Sequence, residues 1–129
     1  MAHFHDRGRH GEMIAAGYLE DSGWEILDRN WRAGHGEIDL VIQKGDVVAF
    51  VEVKTRLGDS SGDPLEGITR RKRMEVEKTA RRWILARGGE GANRRGIAYR
   101  FDAVAVTLSQ GGGAEVYHLA DAWWIGDLS

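Results

Sequence analysis

The chain has 129 residues, with 18 Lys and Arg against 20 Asp and Glu and a formal net charge of −2. That length allows one domain with its own core, and the absence of cysteine excludes a disulfide framework and a cysteine-ligated zinc site. The longest uncharged apolar run, Val47–Val51, is far short of the ~20 residues that span a bilayer. The N-terminus carries no apolar stretch of the secretory kind, so the expected setting is cytoplasmic, with no membrane partner.

Residues 1–7 are expected to form a flexible polar arm and residues 8–129 a single domain. From Gly8 to Ser22, Ile14, Ala15, Tyr18 and Leu19 recur at helical spacing, and Gly23 stands where a helix ends. Trp24–Arg32 reads as a strand. Glu37–Ile42 and Val47–Lys54 read as two more, joined by a hairpin at Lys44-Gly45. Leu57–Gly67 is a loop rich in Gly, Ser and Asp, and it holds the sole proline, Pro64. Thr69 caps a basic helix reaching Arg87, with Val76, Ala80, Trp83 and Ile84 on one face. Gly88–Gly96 is a connection. Ile97–Leu108 and Glu115–Leu119 are strands, and the tail from Ala122 packs back on the core. The order α β β β α β β predicts an α/β domain with a mixed sheet flanked by helices.

Three carboxylate positions break the rule that core-facing residues are apolar. Glu12 lies beside the apolar stripe of the first helix, within about 60° of Ala15, Ala16 and Leu19; the alternative is a solvated first-turn Glu favoured by the helix dipole. In Glu37-Ile38-Asp39, alternation puts Ile38, Leu40 and Ile42 on one face and Glu37, Asp39 and Val41 on the other. In Glu52-Val53-Lys54, both faces of the strand are otherwise apolar, which marks it as central. With Lys44-Gly45 as the loop, paired residue numbers sum to 89. Glu37 then opposes Glu52, and Asp39 is a diagonal neighbour of Glu52. Three carboxylates on one sheet face need a cation, and oxygen-only ligands suit Mg²⁺ or Mn²⁺. The alternative is a solvated hairpin with an ordinary Glu–Lys pair.

The net charge hides an asymmetry. Between Arg70 and Arg100 there are eleven basic and three acidic residues, a net of +8; the rest holds seven basic and seventeen acidic, a net of −10. A basic segment beside carboxylates is what a metal-dependent enzyme acting on a polyanion needs. Arg70, Arg71, Lys72 and Arg73 open the basic helix, and Arg56 follows the Glu-x-Lys strand; these five are the expected nucleic-acid contacts. Asp102 is expected to anchor an arginine internally, and Trp123 and Trp124 are candidates for a subunit interface.

Asp39, twelve intervening residues and then Glu52-Val53-Lys54 resemble the core of the PD-(D/E)XK, or restriction endonuclease-like, nucleases. More closely, the chain resembles the YraN-like bacterial family, itself similar to Holliday-junction resolvases. The matching stretches are Gly8-Arg9-His10-Gly11-Glu12, Tyr18-Leu19, Asn30-Trp31-Arg32, Gly36 to Leu40, Phe50 to Arg56, the Lys72 region and Arg100-Phe101-Asp102. They run in order from about residue 8 to 125; Ile38 stands where the superfamily's label has proline. The resemblance implies an αβββαβ core and Mg²⁺- or Mn²⁺-dependent hydrolysis of DNA phosphodiesters, on branched or single-stranded DNA. Asp39, Glu52 and the Val53 carbonyl would be metal ligands. Lys54 would orient the attacking water and offset charge at phosphorus, and Glu12 would support a second ion. Lys72 matches a family position. A homodimer is implied by likeness to the resolvases. Two alternatives stand beside this: a nucleic-acid-binding module that turns over little or nothing, and a factor active only with a partner.

Overall fold

A computed structural model of the chain describes residues 3–58, 62–87 and 96–123. The expected connection over 88–95, three positions of the loop after Leu57 and the tail beyond Trp123 lie outside them. The elements are α1 (His3–Asp21), β1 (Glu25–Ala33), β2 (Gly36–Lys44), β3 (Val47–Leu57), a 3-10 turn (Pro64–Gly67), α2 (Arg70–Ala86), β4 (Ala98–Leu108) and β5 (Ala114–Trp123). This is the expected order, an α/β restriction endonuclease-like core. Helix α1 begins at His3, so residues 3–7, expected as part of a loose arm, are helical.

The sheet has the order β1-β2-β3-β4-β5. Only β3 and β4 run parallel. A parallel pair needs a crossover, which the 3-10 turn and α2 supply. Helix α1 ends in a Schellman arrangement: Gly23, at φ +97, donates to the Glu20 carbonyl, and Trp24 donates to that of Leu19. Thr69 caps α2, its hydroxyl accepting from Lys72 N–H at 3.1 Å.

Each sheet face has its own core. Ala15, Ala16 and Leu19 of α1 pack with Leu40, Ile42, Val51 and Val104; Val76, Ala80 and Trp83 of α2 pack on the other side with Ile38, Val41 and Phe50. Strand β3 feeds both, as its two apolar faces require. The expected alternation fails at one place. Ile38 faces α2 while Leu40 faces α1, so β2 changes its phase across Asp39. Asn30, in the neighbouring part of β1, has φ 47, a left-handed value that Asn tolerates better than most residues.

Asp102 does anchor an arginine. Buried at 0% exposure, it accepts from Arg100 Nε at 2.9 Å and Nη2 at 3.1 Å, pairs with His118 Nε2 at 2.7 Å and accepts from the Asp121 N–H at 2.9 Å. Burial alone would raise its pKa, but these donors together hold it below the usual value. They also fix the irregular stretch where β5 breaks register with β4, at Asp121 with φ 57. Trp123 stacks on Phe101 at 5.1 Å between ring centroids and is buried in the core of its own chain. It is therefore not available as an exposed interface residue, and Trp124 lies outside the described residues.

Candidate functional site

The β2–β3 hairpin turns one residue later than the sequence suggests. Lys44 pairs with Val47, so the loop is Gly45-Asp46, and paired numbers sum to 91 rather than 89. Gly45 takes φ +58, which a glycine at the first turn position adopts without cost. Slipping the turn by one residue along both strands preserves facing, so Asp39 and Glu52 stay together. The ladder's continuation sets them opposite one another, and Glu37 is no longer across from Glu52.

Pairing between β2 and β3 ends at Leu40 and Val51, while β2 stays paired with β1 to Gly36. The strands part where Asp39 stands. Its carboxylate enters the gap and accepts from the Val53 backbone N–H at 2.8 Å. Glu52 is 8% exposed. Its Oε2 lies 3.8 Å from Lys72 Nζ, and its buried Oε1 has no hydrogen-bond partner among the described residues. Burial pushes Asp39 up to about 8; the neighbouring Glu52 charge adds to this, and the Val53 N–H opposes it. Burial likewise pushes Glu52 up to about 7, against the pull of Lys72 and Lys54. Two desolvated carboxylates that repel each other resist ionising together, and a cation between them would offset that cost.

Glu12 is brought to this place by Gly11. A side-chain carbon at Gly11 would overlap the Thr55 hydroxyl, so glycine lets α1 lie directly on the end of β3. Glu12 is half-buried, and its charge acts on both Asp39 and Glu52. It is also engaged: Asn30 Nδ2 donates to its Oε1 at 2.8 Å. Glu37 pairs with Arg32 at 3.4 Å. Among the described residues, no three carboxylate or imidazole side chains converge closely enough to hold an ion. The expected three-carboxylate cluster is thus a pair, buried Glu52 and half-buried Asp39, with Glu12 and Glu37 engaged by their own partners. Lys54 is half-buried on β3 and packs against Gly67, where a side chain would collide with its Cε and Nζ.

The basic run does not present one uniform face. Arg70 and Arg71 are exposed. Lys72 points at the carboxylates, 3.8 Å from both Glu52 and Glu75. Arg73 turns inward, its guanidinium 5.8 Å from the centre of the Trp123 ring. Arg56 serves its own fold: Nη1 donates to the Gly62 carbonyl at 2.7 Å and Nε to the Thr107 hydroxyl at 3.4 Å. Asn30 escapes a search for charged or nucleophilic side chains. Its φ of 47, a left-handed value that Asn tolerates, accompanies an amide that donates to Glu12.

Residues 11–106, which include Glu12, Asp39, Glu52, Lys54 and Lys72, match the model described as "Uncharacterised protein family UPF0102". A UPF0102 protein of Rhodococcus opacus (strain B4) is 41% identical over 123 residues, covering 95% of this chain and 100% of its own. One of Chlorobium chlorochromatii (strain CaD3) is 37% identical over 123 residues, covering 92% and 91%. Among solved structures, Pyrococcus furiosus SfsA in complex with Ca²⁺ is similar at 17% identity and a TM-score of 0.36, over 90% of this chain and 64% of that one. The chain belongs to the uncharacterised protein family UPF0102, the YraN-like family that its sequence resembles.

Proposed function

We propose that this protein is a metal-dependent endonuclease-like enzyme that hydrolyses DNA phosphodiester bonds, on branched or repair-type substrates. One observation carries the reading: Glu52 Oε1, buried and without a hydrogen-bond partner among the described residues, sits beside the desolvated carboxylate of Asp39. A buried anion left unsatisfied is costly, and a hard cation is what an all-oxygen donor set accepts. Asp39, Glu52 and the Val53 carbonyl would hold Mg²⁺ or Mn²⁺, with Glu12 beside them. Such an ion, when bound, supplies charge neutralisation at the phosphate and acidifies a water. The chain's own groups do the rest. Lys54 holds the attacking water and offsets negative charge growing at phosphorus. Lys72 and Arg71 meet neighbouring phosphates on the α2 side.

The test is incubation with Mn²⁺ or Mg²⁺ and linear, flapped and four-way DNA, beside Glu52→Ala and Lys54→Ala. Cleavage by the wild type that falls by at least about 100-fold in both variants is the expected result. Equal cleavage in all three would mark a contaminant. A second reading, a binding module with little turnover, is favoured by the absence of a three-ligand cluster among the described residues. DNA binding that neither needs nor responds to the ion, with no cleavage, would establish it.

A further inference from the structure

Beside Glu12, on the side away from Lys72, the surface opens into a cleft of about 430 Å³ between the first half of α1 and strands β1 and β2. Arg9, Arg29 and Arg32 line it with Asn30 and the carboxylates of Glu12 and Glu37; the exposed Met13 gives it an apolar wall, and Leu40 is buried at its floor. Arg32 is paired with Glu37 at 3.4 Å, and Asn30 is occupied by Glu12. Arg9 and Arg29 are exposed and have no ion pair or hydrogen bond among the described residues. Two guanidiniums without a partner among the described residues, facing one concavity beside an apolar side chain, suit an anion that carries an apolar body. The volume is in the range of a single small ligand, the size of one or two nucleotides and too small for a duplex.

We infer that this cleft is a nucleotide subsite. Arg9 and Arg29 bind backbone phosphates of one unpaired strand, and the exposed Met13 packs against its sugar or base. This rests on the proposed action on nucleic acid and deepens it. Glu12 belongs both to the cleft and to the surroundings of Asp39 and Glu52, so a strand lying in the cleft leads directly to the carboxylate pair. The basic helix α2 lies on the opposite side of that pair. The substrate is then held from two sides, and the cleft side admits only a single strand. Arginine forks suit phosphate oxygens.

The test is fluorescence anisotropy of a labelled single-stranded oligonucleotide and of the same sequence as a duplex, with the full-length chain in EDTA. Arg9→Gln/Arg29→Gln is expected to weaken single-strand binding by at least about tenfold. The slope of log affinity against log salt should fall by about 0.7 for each phosphate that an arginine no longer neutralises, with duplex affinity much less affected. Both positions are exposed, and a thermal melt checks the fold; Arg29→Gln alone serves if the double variant melts early. Equal single-strand affinity and slope in wild type and variant, including no binding by either, would overturn the subsite. Binding abolished in the variant, from a wild type that never cleaves in Mn²⁺, would keep the subsite and sink the nuclease. Cleavage by the wild type with binding unchanged in the variant would do the reverse.

Discussion

The backbone N–H of Val53 donates to the Asp39 carboxylate at the point where β2 and β3 cease to pair. A donor that a strand ladder would ordinarily satisfy is met by an acidic side chain, and this ties Asp39 to the residue after Glu52. Asparagine keeps an acceptor oxygen for that bond and matches the shape of the protonated acid. Asp39→Asn is therefore expected to melt within a few degrees of the wild type in metal-free buffer. Its Mn²⁺-dependent DNA cleavage should fall by at least about 100-fold. Melting curves and a cleavage assay decide it; a melting temperature lower by more than about 10 °C would mean that the charge itself holds the fold.

The pH dependence of the metal-free protein follows from the same pair. Burial raises Asp39 from 3.8 to about 8 and Glu52 from 4.5 to about 7. Between those limits the folded chain binds more protons than the unfolded one. The stability is fully present below about pH 4 and is lost as pH rises toward 8. Melts in EDTA should show a lower melting temperature at pH 8.5 than at pH 5, with the difference reduced in Asp39→Asn and Glu52→Gln. Mn²⁺ at about 100 times its dissociation constant should restore about 2.7 kcal/mol at pH 8.5 in the wild type alone. A wild type no less stable at the higher pH would contradict the desolvated pair.

Gly11 offers a test of packing. In most helix interiors Gly→Ala gains up to about 1 kcal/mol. Here the added carbon would overlap the Thr55 hydroxyl, so Gly11→Ala should instead destabilise by about 1–3 kcal/mol and shift Glu12 away from the carboxylate pair. Thr55→Ala in the same chain removes the hydroxyl and methyl and leaves only the Cβ in close approach. The double variant should recover most of the loss, and a double-mutant cycle reads the coupling. Additive losses would show that the two residues do not meet.

The helices and the order of elements along the chain were legible because each rests on local signals: apolar periodicity, Thr69 as a cap, Gly23 as a helix stop. What local signals could not show was where the regularity is broken. Either Lys44-Gly45 or Gly45-Asp46 makes a plausible hairpin turn, and the choice fell to Gly45 at the first turn position. The change of phase at Asp39 coincides with Asn30 at positive φ in β1 and with the Val53 N–H turning to the Asp39 side chain, features of neighbouring strands that alternation within one strand cannot reveal. The long side chains were the least legible. Arg56 and Arg73 are spent on Gly62, Thr107 and the Trp123 ring, because an arginine's reach lets it serve packing as readily as solvent.

Lys72 lies 3.8 Å from a carboxylate oxygen of Glu52 and 3.8 Å from one of Glu75. In the metal-free protein its ammonium partly compensates Glu52 and lowers that group's pKa. A divalent ion bound by Glu52 would meet the same ammonium as a like charge, while Glu75 offers Lys72 a second partner one turn along α2. Removing Lys72 has two opposed effects near neutrality, since Glu52 becomes harder to ionise while the repulsion on an ion disappears. At pH 9 the first effect is small and the second remains. Lys72→Ala is thus expected to bind Mn²⁺ about three- to tenfold tighter at pH 9, an effect of one partly screened charge. Its DNA affinity should fall, with a shallower salt dependence. Titration calorimetry with Mn²⁺ alone separates the two roles. Weaker Mn²⁺ binding at pH 9 would show that Lys72 orients Glu52 for the ion rather than competing with it.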